Sequence, residues 1–361
     1  MCYMEKLKKF SAVLLAAVFI VSGTTACASD KKSWAAKNDS MTVPIGSYIC
    51  YLYSEYNNAS SQVTDSTKSV LSQKIDSKDA TSWIREKALN DVKTLFVIDS
   101  KMKELNLKLD DTESKTISSA AASQWEQYGT QFEKWGVAQS SFSLSFYESS
   151  QKLAQIFYAT YGNGGKKAVS DADLKSYYVK NYSDFSYISL PLYKSSSSGK
   201  VTAMTAAEKK KAESEFDGYI EKIKAGTMTM QQAADAYKTS SKSTSDQLQS
   251  DMANLSSSGY PDDMKKMISA MKSGEVKAQE ISSGTTSFYV MVMKNDIDKT
   301  ISDEVKDETK RKSLLYTYKY KEFSESISKE AEALKDVTVN DSALNSYDPS
   351  MFETDSSSSA S

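Results

Sequence analysis

Residues 251–293 read DMANLSSSGYPDDMKKMISAMKSGEVKAQEISSGTTSFYVMVM, and the turns and apolar positions in this stretch decide the fold. The pattern predicts a short strand, a turn, a helix, a turn, a short strand, a turn and a last strand. Tyr260-Pro261 opens the first turn, because proline fixes its own φ and drives the residue before it into extended geometry. Met264, Met267, Ile268 and Met271 recur at helical spacing on one face. Lys272-Ser273-Gly274 closes that helix, with a cation at its negative end and a glycine free to turn left-handed. Phe288, Val290 and Val292 alternate with Tyr289, Met291 and Met293. Every member is apolar or amphipathic, so this strand is expected to be covered on both faces.

Upstream, residues 185–192 alternate as a first strand, and 194–200, with four serines and Gly199, read as a flexible loop. Thr205 and Glu208 have capping-box spacing and start a helix that Gly226 ends. A short helix follows at 230–237. From 182 to 296 the order is thus strand, two helices, strand, helix, two strands. The flanks are helical. Ile84, Ala88, Val92, Leu95, Phe96 and Met102 form an apolar stripe over 84–105. Asp110 and Glu113 have capping spacing for a helix through Trp125, and 142–161 continues the helical character. Gly162-Asn163-Gly164-Gly165 is a break, after which Ser170 and Asp173 cap a helix over 174–182. Residues 41–56 start extended around Pro44 and become a tyrosine-rich helix. Residues 301–334 read as one long helix, with Val305, Leu314, Leu315, Tyr318 and Phe323 available for burial. Aromatic stripes of this kind serve a core more often than a ligand.

The chain has 361 residues, 40% of them hydrophobic and 25% charged, with a net charge of −2. Folded domains are expected, and nucleic acid is not an expected partner. Histidine is absent. That removes Ser-His and Cys-His nucleophilic pairs, histidine bases and histidine metal sites together. Cys2, Cys27 and Cys50 are too few for a disulfide framework or a four-thiolate site, and Cys50 fits a buried small hydrophobe. The adjacent acids Asp110-Asp111 and Asp262-Asp263 fit caps and solvated turns better than a catalytic dyad. Residues 162–165 lack the lysine and hydroxyl of a phosphate loop. No metal or organic cofactor is implied.

Lys6, Lys8 and Lys9 precede an apolar run over 10–21, which is short for a membrane span and suits an export signal. Ser22 to Ala26 are small residues, and Cys27 follows them directly. This junction resembles a bacterial lipobox, in which the chain is cut before the cysteine and lipid is attached to its sulfur. Thr24 departs from the leucine-like residue usual in that pattern, and a plain secretory signal with an incidental cysteine is the alternative. Lipid on Cys27 implies anchoring to the outer face of the cell membrane.

The opening stretch resembles the second half of a parvulin domain, the module of one peptidyl-prolyl isomerase class. Asp251 to Leu255 looks like the family's DLGWF segment. Tyr260 to Met264 and Met271 to Val276 look like its M.PEF…LK.GEV segment, and Ser287 to Met291 like its closing GYHII strand. TVPIGSYI.YLY in 42–53 is similar to the opening of SurA- and PrsA-type foldases, and 170–182 resembles their linker into the parvulin module. The resemblance implies an α+β protein: a helical chaperone domain carrying an inserted parvulin-like module, a four-stranded sheet flanked by helices. It implies an export signal over 1–26, a lipidated tether over 27–40 and a helical domain over 41–181. The module covers 182–296, a C-terminal helix over 297–352 packs back on the helical domain, and 353–361 form a disordered tail.

The parvulin catalytic positions correspond to Tyr187, Ser240, Thr286 and Tyr289, so tyrosine replaces both family histidines. A phenol cannot offer an imidazole's donor and acceptor on one ring. The pocket positions correspond to Met252, Leu255, Tyr260 and Met264, and these four fit the module's own core as well as a proline pocket. The implied function is an extracytoplasmic foldase or chaperone for unfolded or nascent secreted polypeptides, with a degenerate module. The alternative is an active isomerase with an altered site. A solute-binding lipoprotein would need two α/β lobes, which the helix-rich halves argue against.

Overall fold

The computed structural model describes residues 34–195, 200–284 and 286–353. The export signal, Cys27 and the serine-rich end from 354 lie outside them. The chain is a mixed helical and sheet protein that divides into two compact units, one from Val169 to Tyr318 and one formed by the residues on either side.

The first unit is built on β5 (Ser183–Pro191), β8 (Gln249–Ala253), β9 (Val276–Ser283) and β10 (Thr286–Lys294). They form one antiparallel sheet in the order β8-β5-β10-β9. β10 is interior to the sheet, and Val290, Met291 and Val292 are all buried, so alternate residues meet cores on both faces. One face is covered by α7 (Ala206–Lys224) and α8 (Met230–Ser240), the other by α9 (Asp262–Ala270). The caps are those the spacing predicts. Thr205 accepts from the Glu208 amide and Glu208 from the Thr205 amide. Gly274 is left-handed at φ +79°, and its N–H donates to the Lys294 carbonyl at 2.7 Å, which ties this turn to the end of β10.

Three features of this unit differ from the sequence reading. Lys194 and Ser195, expected to begin a flexible loop, lie in strand β6 (Tyr193–Ser195), which pairs with β7 (Val201–Ala203); residues 196–199 of that expected loop lie outside the described residues. The long helix expected over 301–334 is two, α10 (Ile297–Glu304) and α11 (Glu308–Ala333). Asp307 causes the break: its carboxylate accepts from the Lys310 amide, a capping bond that starts a new helix. The unit also reaches beyond 182–296. Buried Arg311 donates to the Val169 carbonyl and the Asp171 carboxylate, each at 2.6 Å. The Tyr178 hydroxyl donates to the Leu314 carbonyl, and Tyr177 stacks on Tyr318 at 4.0 Å. Helix α6 (Asp171–Asn181) and the first part of α11 are therefore held together inside it.

The second unit contains α1 (Ile45–Gln62), α2 (Ala80–Glu104), α3 (Asp111–Lys134), α4 (Gln139–Ser143) and α5 (Ser149–Tyr161), with the later part of α11. The expected stripe from Ile84 to Met102 is buried on α2, and the Asp110–Glu113 capping box is formed. The expected tether is partly folded: Trp34–Lys37 is strand β1, between β2 (Thr42–Pro44) and β11 (Thr338–Val339). Ala35 and Ala36 are fully buried there, so small size rather than polarity is the property those positions use. Phe323 packs on Phe157 at 5.4 Å, and Lys101 pairs with Glu330 at 2.7 Å. No described helix is long and apolar enough to cross a membrane.

Candidate functional site

β5 and β10 are neighbours, and period-two alternation sends their side chains to opposite faces. Phe185, Tyr187, Phe288, Val290 and Val292 share one face with Ala253, Leu255, Tyr260 and Met264. Ile188, Leu190, Tyr289, Met291 and Met293 share the other, beneath α7 and α8.

On the first face three polar groups meet an apolar floor. Pro261 caps α9, and the turn before it returns Tyr260 toward β8. The Tyr260 hydroxyl donates to the Asp251 carboxylate at 2.7 Å. Asp251 stands opposite Phe185 in the sheet register. The Tyr260 ring meets Phe185 at 5.3 Å and Tyr187 at 6.0 Å, both edge-on. Burial first, then the bond to Asp251, pushes the Tyr260 phenol far above its ordinary value, with Tyr187 adding to the effect. The hydroxyl is therefore neutral across the physiological range. Half-buried Leu255 and buried Met264 lie beneath it. Tyr187, Leu255 and Tyr260 are half-buried, so this face presents two phenols and one aliphatic side chain to solvent. It offers no imidazole to move a proton near neutral pH.

The other positions singled out from the sequence are dispersed. Tyr187 stands opposite Val292 and Tyr289 opposite Leu190, and an offset of three along β10 reverses the face. The expected pair of phenols is thus split by the sheet. Tyr289 donates to Asp217 at 3.0 Å and lies 6.3 Å from Phe216. Burial, then the bond to Asp217, pushes its hydroxyl up to about 12. Ser240 is exposed at the end of α8 and donates to Glu215, which also accepts from Tyr219, each at 2.6 Å. That is a tether between α7 and α8, remote from Tyr187. Thr286 shares the Tyr187 face but starts β10, six residues from Val292, which is about 20 Å of strand. Met252 stands opposite Asp184, so it lies on the face away from Leu255, Tyr260 and Met264. Asp251 is the member that sequence reasoning missed. Only the β5–β8 register brings it under Tyr260.

The helical unit holds a second unusual group. Asp91 on α2 carries a carboxyl pushed up to about 8, by burial first and by Glu55 second, against the opposing pull of Lys87. Nearby, the Tyr51 hydroxyl donates to the Ser145 carbonyl at 3.3 Å. Ser145 lies in a π turn, Leu144–Glu148, where serine hydroxyls bond carbonyls four residues back. Among the described residues no three histidine, cysteine or acidic side chains are grouped to hold a metal ion.

No protein-family model matches the chain, and no curated protein is similar to it in sequence. Among solved structures it is similar to the foldase protein PrsA of Streptococcus pneumoniae, at 16% identity over 86% of this chain and 96% of that one, with a TM-score of 0.35. It is also similar to PrsA of Bacillus subtilis, at 17% identity over 78% of this chain and 97% of that one, with a TM-score of 0.30.

Proposed function

We propose that this chain is an extracytoplasmic foldase or chaperone for unfolded or nascent secreted polypeptides, anchored to the outer face of a bacterial membrane through lipid on Cys27. In this reading the residues on either side of 169–318 form a helical client-binding domain, and 169–318 hold an inserted, degenerate parvulin-like module. One observation carries it: Asp251, Tyr260 and Tyr187 are gathered beside Leu255 and Met264 with no imidazole among them. A neutral hydroxyl fixed by a carboxylate, over soft and aromatic side chains, suits holding varied apolar segments. Light scattering from an aggregating unfolded protein, with and without the mature chain, tests the reading. The chain should slow aggregation, and a Leu255→Ser, Tyr260→Ala variant should slow it less. Aggregation at an unchanged rate beside the mature chain would overturn it.

The second reading is an active prolyl isomerase with an altered site. Isomerisation is rotation about a partial double bond and breaks no covalent bond. Tighter binding of the twisted amide is enough to accelerate it. The presence of Tyr187 and Tyr260 on one face with the apolar floor favours this alternative. A protease-coupled assay on a prolyl peptide decides: a rate that falls in Tyr187→Phe and Tyr260→Phe rejects the degenerate module.

A further inference from the structure

The sheet of the first unit ends at β9, an eight-residue strand without proline, and among the described residues no strand pairs with its outer side. The direction of its backbone groups follows from the bonds just before it. The Lys294 amide donates to the Glu275 carbonyl at 3.0 Å, and Glu275 is the register partner of Lys294. Hydrogen-bonded positions alternate along an antiparallel pair. Lys277, Gln279 and Ile281 therefore turn their backbone groups toward β10. Val276, Ala278, Glu280 and Ser282 turn theirs outward. A row of unpaired strand amides and carbonyls is a template for one more strand.

The surroundings of this edge are shaped to receive one. An open groove of about 480 Å³ runs beside its first half, lined by Asp217, Ile220, Glu221 and Lys224 of α7, by Met267 of α9, and by residues 276–279 of the strand. Ile220 lies on one face of the sheet and Met267 on the other. A strand added here would place successive side chains alternately beside each of them. The charges along the groove are of both signs, so they select no particular client charge.

We propose that β9 binds an extended segment of an unfolded polypeptide by strand addition. The proposal rests on the chaperone reading and names the backbone as what is recognised, which makes binding tolerant of sequence. A second copy of this chain is a poorer occupant. α7 packs over β9 itself, where Lys209 pairs with Glu280. Antiparallel β9–β9 pairing would bring two such helices to one face, side by side across the new strand pair. Packed helices need about 8–10 Å. An unfolded segment brings no helix.

Amide hydrogen exchange on the full mature chain, with and without a reduced and carboxymethylated, permanently unfolded protein, tests this. The outward amides of Val276, Ala278, Glu280 and Ser282 should exchange at least about tenfold more slowly when the probe is bound. Ala278→Pro removes one outward N–H and leaves the bonds to β10 in place. It should weaken probe binding about tenfold at unchanged thermal unfolding. Probe binding without added protection on β9 overturns strand addition and leaves the chaperone reading standing. Absence of any probe binding overturns both. Protection that rises with protein concentration in the absence of probe assigns the edge to a second copy and also overturns the proposal.

Discussion

Asp91 makes the helical unit sensitive to pH. Its carboxyl, pushed up to about 8 by burial and by Glu55, keeps a proton that the unfolded chain gives up above about pH 4. The folded state therefore binds more protons between about pH 4 and 8, and stability falls as pH rises through that window. Asp91→Asn should be more stable than the parent at pH 8, by on the order of 2 kcal/mol. The two should converge near pH 4, and urea unfolding at both pH values reads the difference. Tyr260 works through a single bond. Tyr260→Phe leaves Asp251 without its phenol donor and should cost about 1 kcal/mol. The same variant in a client-holding assay separates the hydroxyl's part from the ring's.

Turns and caps set the elements. A Cβ on Gly165 would stand 2.3 Å from the Thr160 carbonyl oxygen and 2.6 Å from that of Ala159. The loop leaving α5 closes on that helix's last carbonyls: the Lys167 amide donates to Thr160 at 2.9 Å. Gly165→Ala should therefore destabilise by about 2 kcal/mol or more, read as a lower urea midpoint. Asp307 does the opposite kind of work by starting a helix. Asp307→Ala should cost about 1 kcal/mol and raise amide exchange in the first turn of α11. The edge strand β9 shows why element order and function part company. Its sequence predicts a strand, and only its place at the end of the sheet leaves half of its backbone without a paired strand among the described residues.

Across the molecule, the two ends of the described chain converge within the helical unit. β1 pairs with β11, and the Asn340 side chain donates to the Trp34 carbonyl at 3.0 Å. Phe352 packs on Trp135 at 4.8 Å and on Tyr53 at 5.5 Å, edge-on in both cases. This unit's core is therefore assembled from segments some 300 residues apart, and its C-terminal piece is structural. Phe352→Ala should cost about 3 kcal/mol and change the fluorescence of the neighbouring tryptophan.

Local chemistry was legible from the sequence because it acts over a few residues. The capping boxes at Asp110, Ser170 and Thr205, the left-handed Gly274, the stripe from Ile84 to Met102 and the two-faced β10 all follow from spacing and residue type. Register and face do not. Whether Tyr187 meets Tyr289 depends on an offset of three between paired strands, and a change of parity turns a side chain through the sheet. The same parity removed Met252 from the face that holds Tyr260 and brought Asp251 onto it. Strand pairing is fixed by contacts distant in sequence, so the tertiary structure alone decided which of the singled-out side chains share a site.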